Sequence, residues 1–172
     1  MNYILNQISD TTAKNINDGW FEQLSDIDGD LSYLASSVDR MVDWCEKVLA
    51  AGENHLWEIC EEGDTFPRAI VEIADARKSK DPSLKFLNIY LEPNLILDYK
   101  EEVLKEDIEA AIDILAYAMI ASLSLAEDKG TRKLKIFGRT SEMLNLFDSL
   151  LLTAPDEYNL KRQGKWMIIE CR

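Results

Sequence analysis

Apolar and polar residues change their spacing several times along the chain, and each change marks an element. Tyr3 to Ile8 reads as a short strand, followed by a polar helical stretch from Thr11 to about Leu24 with Ser9 or Asp10 as its N-cap. From Leu31 to about Ala51, the residues Leu31, Leu34, Val38, Met41, Val42, Cys45, Val48 and Leu49 recur at helical spacing and form one apolar stripe. Asp39, Arg40, Asp43, Glu46 and Lys47 fall on the opposite face. Asp30 is placed to cap this helix, and Gly52 to end it in the left-handed conformation that costs glycine least.

Three extended segments follow: His55 to Cys60, Ala69 to Ala76 and Leu84 to Leu91. Turn-forming residues separate them, Glu61-Glu62-Gly63-Asp64 in the first gap and Lys78 to Ser83 in the second, which predicts an antiparallel meander. From Val103 to about Asp128 the spacing is helical again, with Leu104, Ile108, Ile112 and Leu115 on one face and Ile114, Tyr117, Ala121 and Leu125 on another. A helix apolar on most sides must be covered on most sides. Its apolar run, Ala110 to Ala126, is interrupted by Asp113 and short for a membrane span, so a buried helix is expected. The last elements are a strand at Lys133 to Phe137, a helix from Ser141 to about Leu152 with Leu144, Phe147, Leu150 and Leu151 inward, and an extended pair, Tyr158 to Lys161 and Lys165 to Cys171, around a Gln163-Gly164 turn.

No linker or repeat divides the 172 residues, so residues 1–172 are expected to form a single domain, with 1–52 as an acidic strand-plus-two-helix part. Cys45, Cys60 and Cys171 lie far apart and His55 is the single histidine, which argues against a zinc cage. Cysteines between apolar neighbours, as at Trp44-Cys45 and Ile59-Cys60, pack as small hydrophobes. An odd cysteine count and the lack of a basic segment before an apolar stretch predict a reducing, cytoplasmic setting.

The order strand, two helices, three-strand meander, long buried helix, strand, helix, terminal strand resembles the GNAT-type N-acetyltransferase fold. The resemblance implies an α/β (α+β) domain with a mixed, mostly antiparallel central sheet flanked by helices. It also implies that the strand at Leu84 to Leu91 splays from its neighbour. In that family the next helix opens with an Arg/Gln-x-x-Gly-x-Gly/Ala loop, whose backbone N–H groups hold the pyrophosphate of acetyl-CoA. The equivalent stretch here, Glu92 to Val103, contains no glycine, and it puts Asp98, Glu101 and Glu102 where a pyrophosphate would sit. Asp98 and Glu101 have the spacing of an N-cap and its reciprocal partner. The position matching the family's tyrosine, which protonates the leaving thiolate, is Phe147. The resemblance with these departures implies a degenerate member that has lost acetyl-CoA, with no cofactor expected. Glu72 or Glu92 could serve as a general base, although a surface or sheet-edge role is the commoner one for such a residue.

Other patterns carry less. Asp26-Ile27-Asp28-Gly29-Asp30 resembles the opening of a calcium loop, but Leu31 and Ser37 stand where that loop needs Gly and Glu, so it reads as an acidic turn capping the next helix. Arg132-Lys133-Leu134-Lys135 and Lys161-Arg162-Gln163-Gly164-Lys165-Trp166 read as a solvated strand edge and hairpin. No hydrolase elbow, P-loop or Cys/His dyad is present.

Charge is more informative. The chain has 19 basic and 32 acidic residues, a net −13, which disfavours nucleic-acid phosphates and anionic membranes. Residues 1–64 hold 14 of those acids and 3 of the bases. Asp18, Glu22, Asp26, Asp28, Asp30, Asp39, Asp43 and Glu46 are therefore the candidate partner-binding residues. Trp20, Phe21, Tyr33, Trp44 and Trp57 are either nearby aromatic anchors or core. The expected function is a non-enzymatic binding or regulatory protein that presents this acidic face to a basic protein surface, including as a DNA mimic or inhibitor. The alternative is a divergent acyl-CoA-dependent N-acyltransferase. The terminal strand either completes its own sheet or pairs with another subunit in a homodimer.

Overall fold

The computed structural model describes residues 2–24, 31–96, 104–153 and 158–171. Its elements are β1 (Tyr3–Gln7), α1 (Asp10–Leu24), α2 (Ser32–Ala50), β2 (Leu56–Glu61), β3 (Pro67–Asp75), β4 (Leu84–Leu91), α3 (Lys105–Asp128), β5 (Lys133–Phe137), α4 (Ser141–Thr153), β6 (Tyr158–Gln163) and β7 (Trp166–Cys171). A single 3-10 turn, Pro93–Leu95, follows β4. The strands form one seven-stranded sheet in the order β1-β2-β3-β4-β5-β7-β6. β1 and β2, β5 and β7, and β6 and β7 pair antiparallel, whereas β4 and β5 pair parallel. A parallel pair needs a crossover between its strands, which α3 supplies. The sheet is thus mixed and flanked by helices, as the resemblance implies, four of them among the described residues.

The chain divides into two compact units, Met1–Val71 with Ile89–Ala118, and Glu72–Asn88 with Met119–Arg172. In the first unit, Ile16, Trp20 and Leu24 of α1 and Leu34, Val38, Met41, Cys45 and Val48 of α2 bury their side chains together with Leu56 and Ile70. The Trp20 ring is buried without stranding its polar edge, because Nε1–H donates to the Pro67 carbonyl at 2.7 Å. α1 opens with a reciprocal pair: Thr12 N–H donates to the Ser9 carbonyl at 2.9 Å, and Ser9 N–H donates to Thr12 Oγ1 at 2.8 Å. α2 ends as expected, with Gly52 at φ 67 and Glu53 N–H donating to the Val48 carbonyl at 3.0 Å. Its start differs from expectation. The boundary residue is Leu31, with no side-chain cap, and Asp30 lies outside the described residues.

α3 also departs from the expected coverage. Ile114, Ala118, Ser122 and Ala126 are buried in a single i,i+4 row, while Ile112 is 58% and Ile120 65% exposed, with Leu104 and Ile108 also exposed. Uniform apolarity along a helix does not say which side packs. Here the small side chains at 118, 122 and 126 permit close approach on one side and leave the other outward.

In the second unit, Leu134 and Ile136 alternate with Lys133 and Lys135 along β5, apolar side chains in and lysines out. The lysines are paired: Lys133 Nζ lies 2.6 Å from Asp81 Oδ1 and 3.0 Å from Glu170, and Lys135 also contacts Asp81. Lys161 lies 3.3 Å from Glu170 and Arg162 2.5 Å from Asp148, so the second basic cluster is a charge-paired hairpin, as expected, whereas the first runs into β5, which lies between β4 and β7 and is not the strand edge expected. The hairpin turn falls one residue later than expected. Gln163 pairs with Trp166, leaving Gly164, at φ 62, and Lys165 as the two-residue loop. β7 lies between β5 and β6, so the terminal strand completes the chain's own sheet. Of the α4 residues expected inward, Phe147 is fully buried, Leu144 and Leu151 are half-buried, and Leu150 lies outside the described side chains.

Candidate functional site

Within the first unit, a groove of about 880 Å3 opens between α2 and the end of β4. That volume suits a small-molecule ligand. α2 contributes Tyr33, Ser37, Arg40, Met41 and Trp44, spaced along one helical side, and β4 contributes Ile89, Tyr90 and Leu91. Pro93, Leu95 and Ile96 line the groove after β4, with Trp20 from α1 and Ala111 from α3. Trp44 meets Tyr90 edge to face, centroids 5.5 Å apart and rings at 80°, which ties the middle of α2 to the end of β4. Arg40 is held in place from its own helix. Its guanidinium lies 5.8 Å from the Tyr33 ring centroid, Nη2 donates to Ser37 Oγ at 3.0 Å, and Ser37 Oγ donates to the Tyr33 carbonyl at 2.9 Å. Among the described residues lining the groove, Arg40 is the one charged side chain.

β4 has a second feature. Its described pairing with β5 covers only Leu84, Phe86 and the residue between them, against Leu134 to Ile136. At the next position the Leu87 carbonyl accepts a hydrogen bond from Arg139 Nε at 3.3 Å, and Arg139 Nη2 lies 3.9 Å from Glu72 Oε2. The strands part after Phe86, as the resemblance implies. The amide-bearing arm of an acyl-CoA fits such an edge, because a strand without a neighbour presents N–H and C=O groups to pair with. The described start of α3 does not suit a pyrophosphate: Leu104 N–H donates to Asp107 Oδ2 at 3.0 Å, and Glu106 shares the first turn. Asp98, Glu101 and Glu102 lie outside the described residues.

Behind the groove, Glu92 is 4% exposed, which corrects its reading as a surface or sheet-edge carboxylate. Its neighbours explain the burial. Gln23 Nε2 donates to Glu92 Oε2 at 2.7 Å, and Arg68 Nε lies 2.5 Å from Oε1 without an aligned N–H, so charge rather than hydrogen-bond geometry holds that pair. Arg68 also pairs with Glu61, and Gln23 Oε1 accepts Asn94 N–H at 3.2 Å. Burial pushes the Glu92 pKa above the ordinary carboxylate value, with the Gln23 and Arg68 contacts opposing it. Glu92 thus braces the corner between β4 and the 3-10 turn. Glu58 on β2 is likewise raised by burial, opposed by a hydrogen bond from Thr12 Oγ1 at 2.7 Å.

The candidate partner residues Asp18, Glu22, Asp39, Asp43 and Glu46 are exposed, with Asp43 3.7 Å from Lys47. Asp26, Asp28 and Asp30 lie outside the described residues. Of the aromatic anchors, Trp20 is core, Phe21 and Trp44 pack against it, Trp57 is half-buried and Tyr33 is exposed. Cys45 and Cys60 are buried free thiols, both pushed up to about 12 by desolvation, and behave as the small hydrophobes expected. His55 sits against Trp44, with Nδ1 3.1 Å from Glu53. Sequence reasoning missed Arg40, Tyr90 and Arg139. Arg40 had one signal, as one of 3 basic residues among the first 64.

No protein-family model matches the chain, and no curated protein matches it either. Solved structures do. The AtaT toxin, in a mutant form bound to the C-terminus of the antitoxin AtaR, is 10% identical with a TM-score of 0.52, over 99% of this chain and 92% of that one. AtaTR bound with acetyl-CoA is 9% identical with a TM-score of 0.51, over 98% and 93%. The KacTA–DNA complex is 11% identical with a TM-score of 0.50, over 98% and 91%. These neighbours correct the expectation of a non-enzymatic binding or regulatory protein. One of these neighbours, AtaTR, was solved with acetyl-CoA, the cofactor that expectation had set aside. From β1 to β7, this chain has the GNAT-like acetyltransferase fold.

Proposed function

We propose that the protein is an acyl-CoA-dependent N-acyltransferase whose acceptor amine enters the groove between α2 and the end of β4. One observation carries this reading: β4 gives up its pairing with β5 after Phe86 and then lines the groove with Ile89, Tyr90 and Leu91. Bound, acyl-CoA supplies a thioester acyl group, which the amine takes up as an amide while the free thiol leaves with the amine's proton. The chain's own residues bind and orient the acceptor. Trp20, Trp44 and Tyr90 cover an apolar body and exclude water, and the Arg68–Glu92–Gln23 brace fixes the corner that follows β4. Only a neutral amine attacks, and desolvation in an apolar groove favours the neutral form.

The net charge of −13 supports a small acceptor over a nucleic acid. AtaT was solved with the protein AtaR, and the exposed carboxylates at Asp18, Glu22, Asp39, Asp43 and Glu46 support a protein partner with basic residues for this chain too. Buried free thiols suit a cytoplasmic setting.

The test is titration calorimetry with acetyl-CoA and with coenzyme A at low salt. Binding at about 100 μM or tighter, roughly −5.5 kcal/mol, is expected. No heat at millimolar ligand overturns the reading.

A further inference from the structure

The overall charge and the groove point in opposite directions. A field from −13 charges draws cations toward the molecule. The groove lining, however, contains no Asp or Glu among the described residues, and its one charged group is the Arg40 guanidinium. Beside Arg40 stand Ser37 and the rings of Tyr33, Trp44 and Tyr90, with Leu34, Val38 and Met41 deeper along α2. A polyamine or a lysine-rich acceptor brings a second ammonium group. That group would lose water next to the like charge of Arg40, with no carboxylate among the described lining residues to receive it.

We propose that the acceptor is a small primary amine with an aromatic or branched apolar body and one anionic group, a carboxylate or a phosphate, that reaches Arg40. The apolar body is covered by Trp44 and Tyr90. Arg40 is already oriented by Ser37 and Tyr33, so little side-chain freedom is lost when it grips a planar anion. As to transfer, this inference rests on the acyltransferase reading; as to binding, it rests on the groove alone.

The experiment follows quenching of the groove tryptophans, Trp20 and Trp44, without any acyl donor. The probes are phenylalanine, tyramine phosphate, phenethylamine and spermidine. Phenylalanine or tyramine phosphate is expected to bind about twofold to fivefold more tightly than phenethylamine, the measure of one exposed charge pair. Which of the two binds better separates a carboxylate from a phosphate source. Arg40→Gln should remove that advantage, and Arg40→Lys should restore part of it. Arg40 is exposed, so neither variant endangers folding. Preference for spermidine, or an Arg40→Gln variant that binds the anionic probes as the parent does, overturns the proposal. Acceptor binding without any acetyl-CoA binding would overturn the acyltransferase reading and leave this one intact.

Discussion

Gly138 follows β5 directly, and its N–H donates to the Lys165 carbonyl at 2.8 Å. Its φ is not positive, so alanine meets no backbone strain there. Space is the obstacle. An added Cβ would lie 2.6 Å from Leu144 Cδ2 and 2.9 Å from Phe147 Cε2. Phe147 is fully buried and has nowhere to retreat. Overpacking of this kind costs about 1–3 kcal/mol, and the lower entropy of the unfolded alanine chain returns about 0.4–1 kcal/mol. Gly138→Ala should therefore destabilise by about 1–2 kcal/mol, which lowers Tm by roughly 2–8 °C at this chain length. Gly19→Ala is the matched control. Its Cβ would lie just as close to Phe66, 2.6 Å from Cδ1, but Phe66 is 41% exposed and can swing into solvent. The α1 interior also gains about 1 kcal/mol of helix propensity. Thermal unfolding followed by circular dichroism should show Gly138→Ala melting lower and Gly19→Ala melting at or above the parent. In the Gly138→Ala background, Leu144→Ala should cost less than it does alone. A Gly138→Ala protein melting with the parent, or a Gly19→Ala protein melting below it, refutes the packing argument.

Three further outcomes follow from charges and thiols. Arg68→Met leaves Glu92 buried without its cation and should cost about 3 kcal/mol in urea unfolding, whereas the double change Arg68→Met with Glu92→Leu should recover most of it. Asp75 is held down at about 2 by its hydrogen bonds from Arg77, and Asp81 at about 2 by Lys133 and Lys135. Both folded values lie below the unfolded one of 3.8, so their contributions are present above that value and vanish as pH falls through about 2. Tm should drop between pH 4 and pH 2, and less steeply in Asp81→Asn; parallel slopes would count against these pairs. With their thiols pushed up to about 12, Cys45 and Cys60 should stay unlabelled by a thiol reagent at pH 8 in the native protein and label fully in denaturant, read by mass spectrometry.

The strands β4 and β5 were legible to the residue, because Pro82, Pro93 and Gly130 punctuate them and their apolar spacing is short-ranged. The α2 stripe and its Gly52 stop were equally plain. The start of α2 was not, since Asp30 has the right chemistry for a cap while the helix boundary falls at Leu31. The site was far less readable. Its residues come from α1, α2, β4, the turn after it and α3, and no local spacing joins Trp44 to Tyr90 or Gln23 to Glu92. Arg40 belongs to a polar helical face in sequence, and its place at the groove emerges only with β4 beside it.

Sequence alone determined which segments are helices and strands, where most of them stop, and that their order resembles a GNAT-type fold. Those properties depend on residues a few positions apart. Tertiary structure decided the burial of Glu92, the outward apolar side of α3, the parting of β4 from β5 and the place of Arg40 at the groove. Each of these depends on side chains brought together from distant parts of the chain, where burial and neighbouring charge act through space rather than along the backbone.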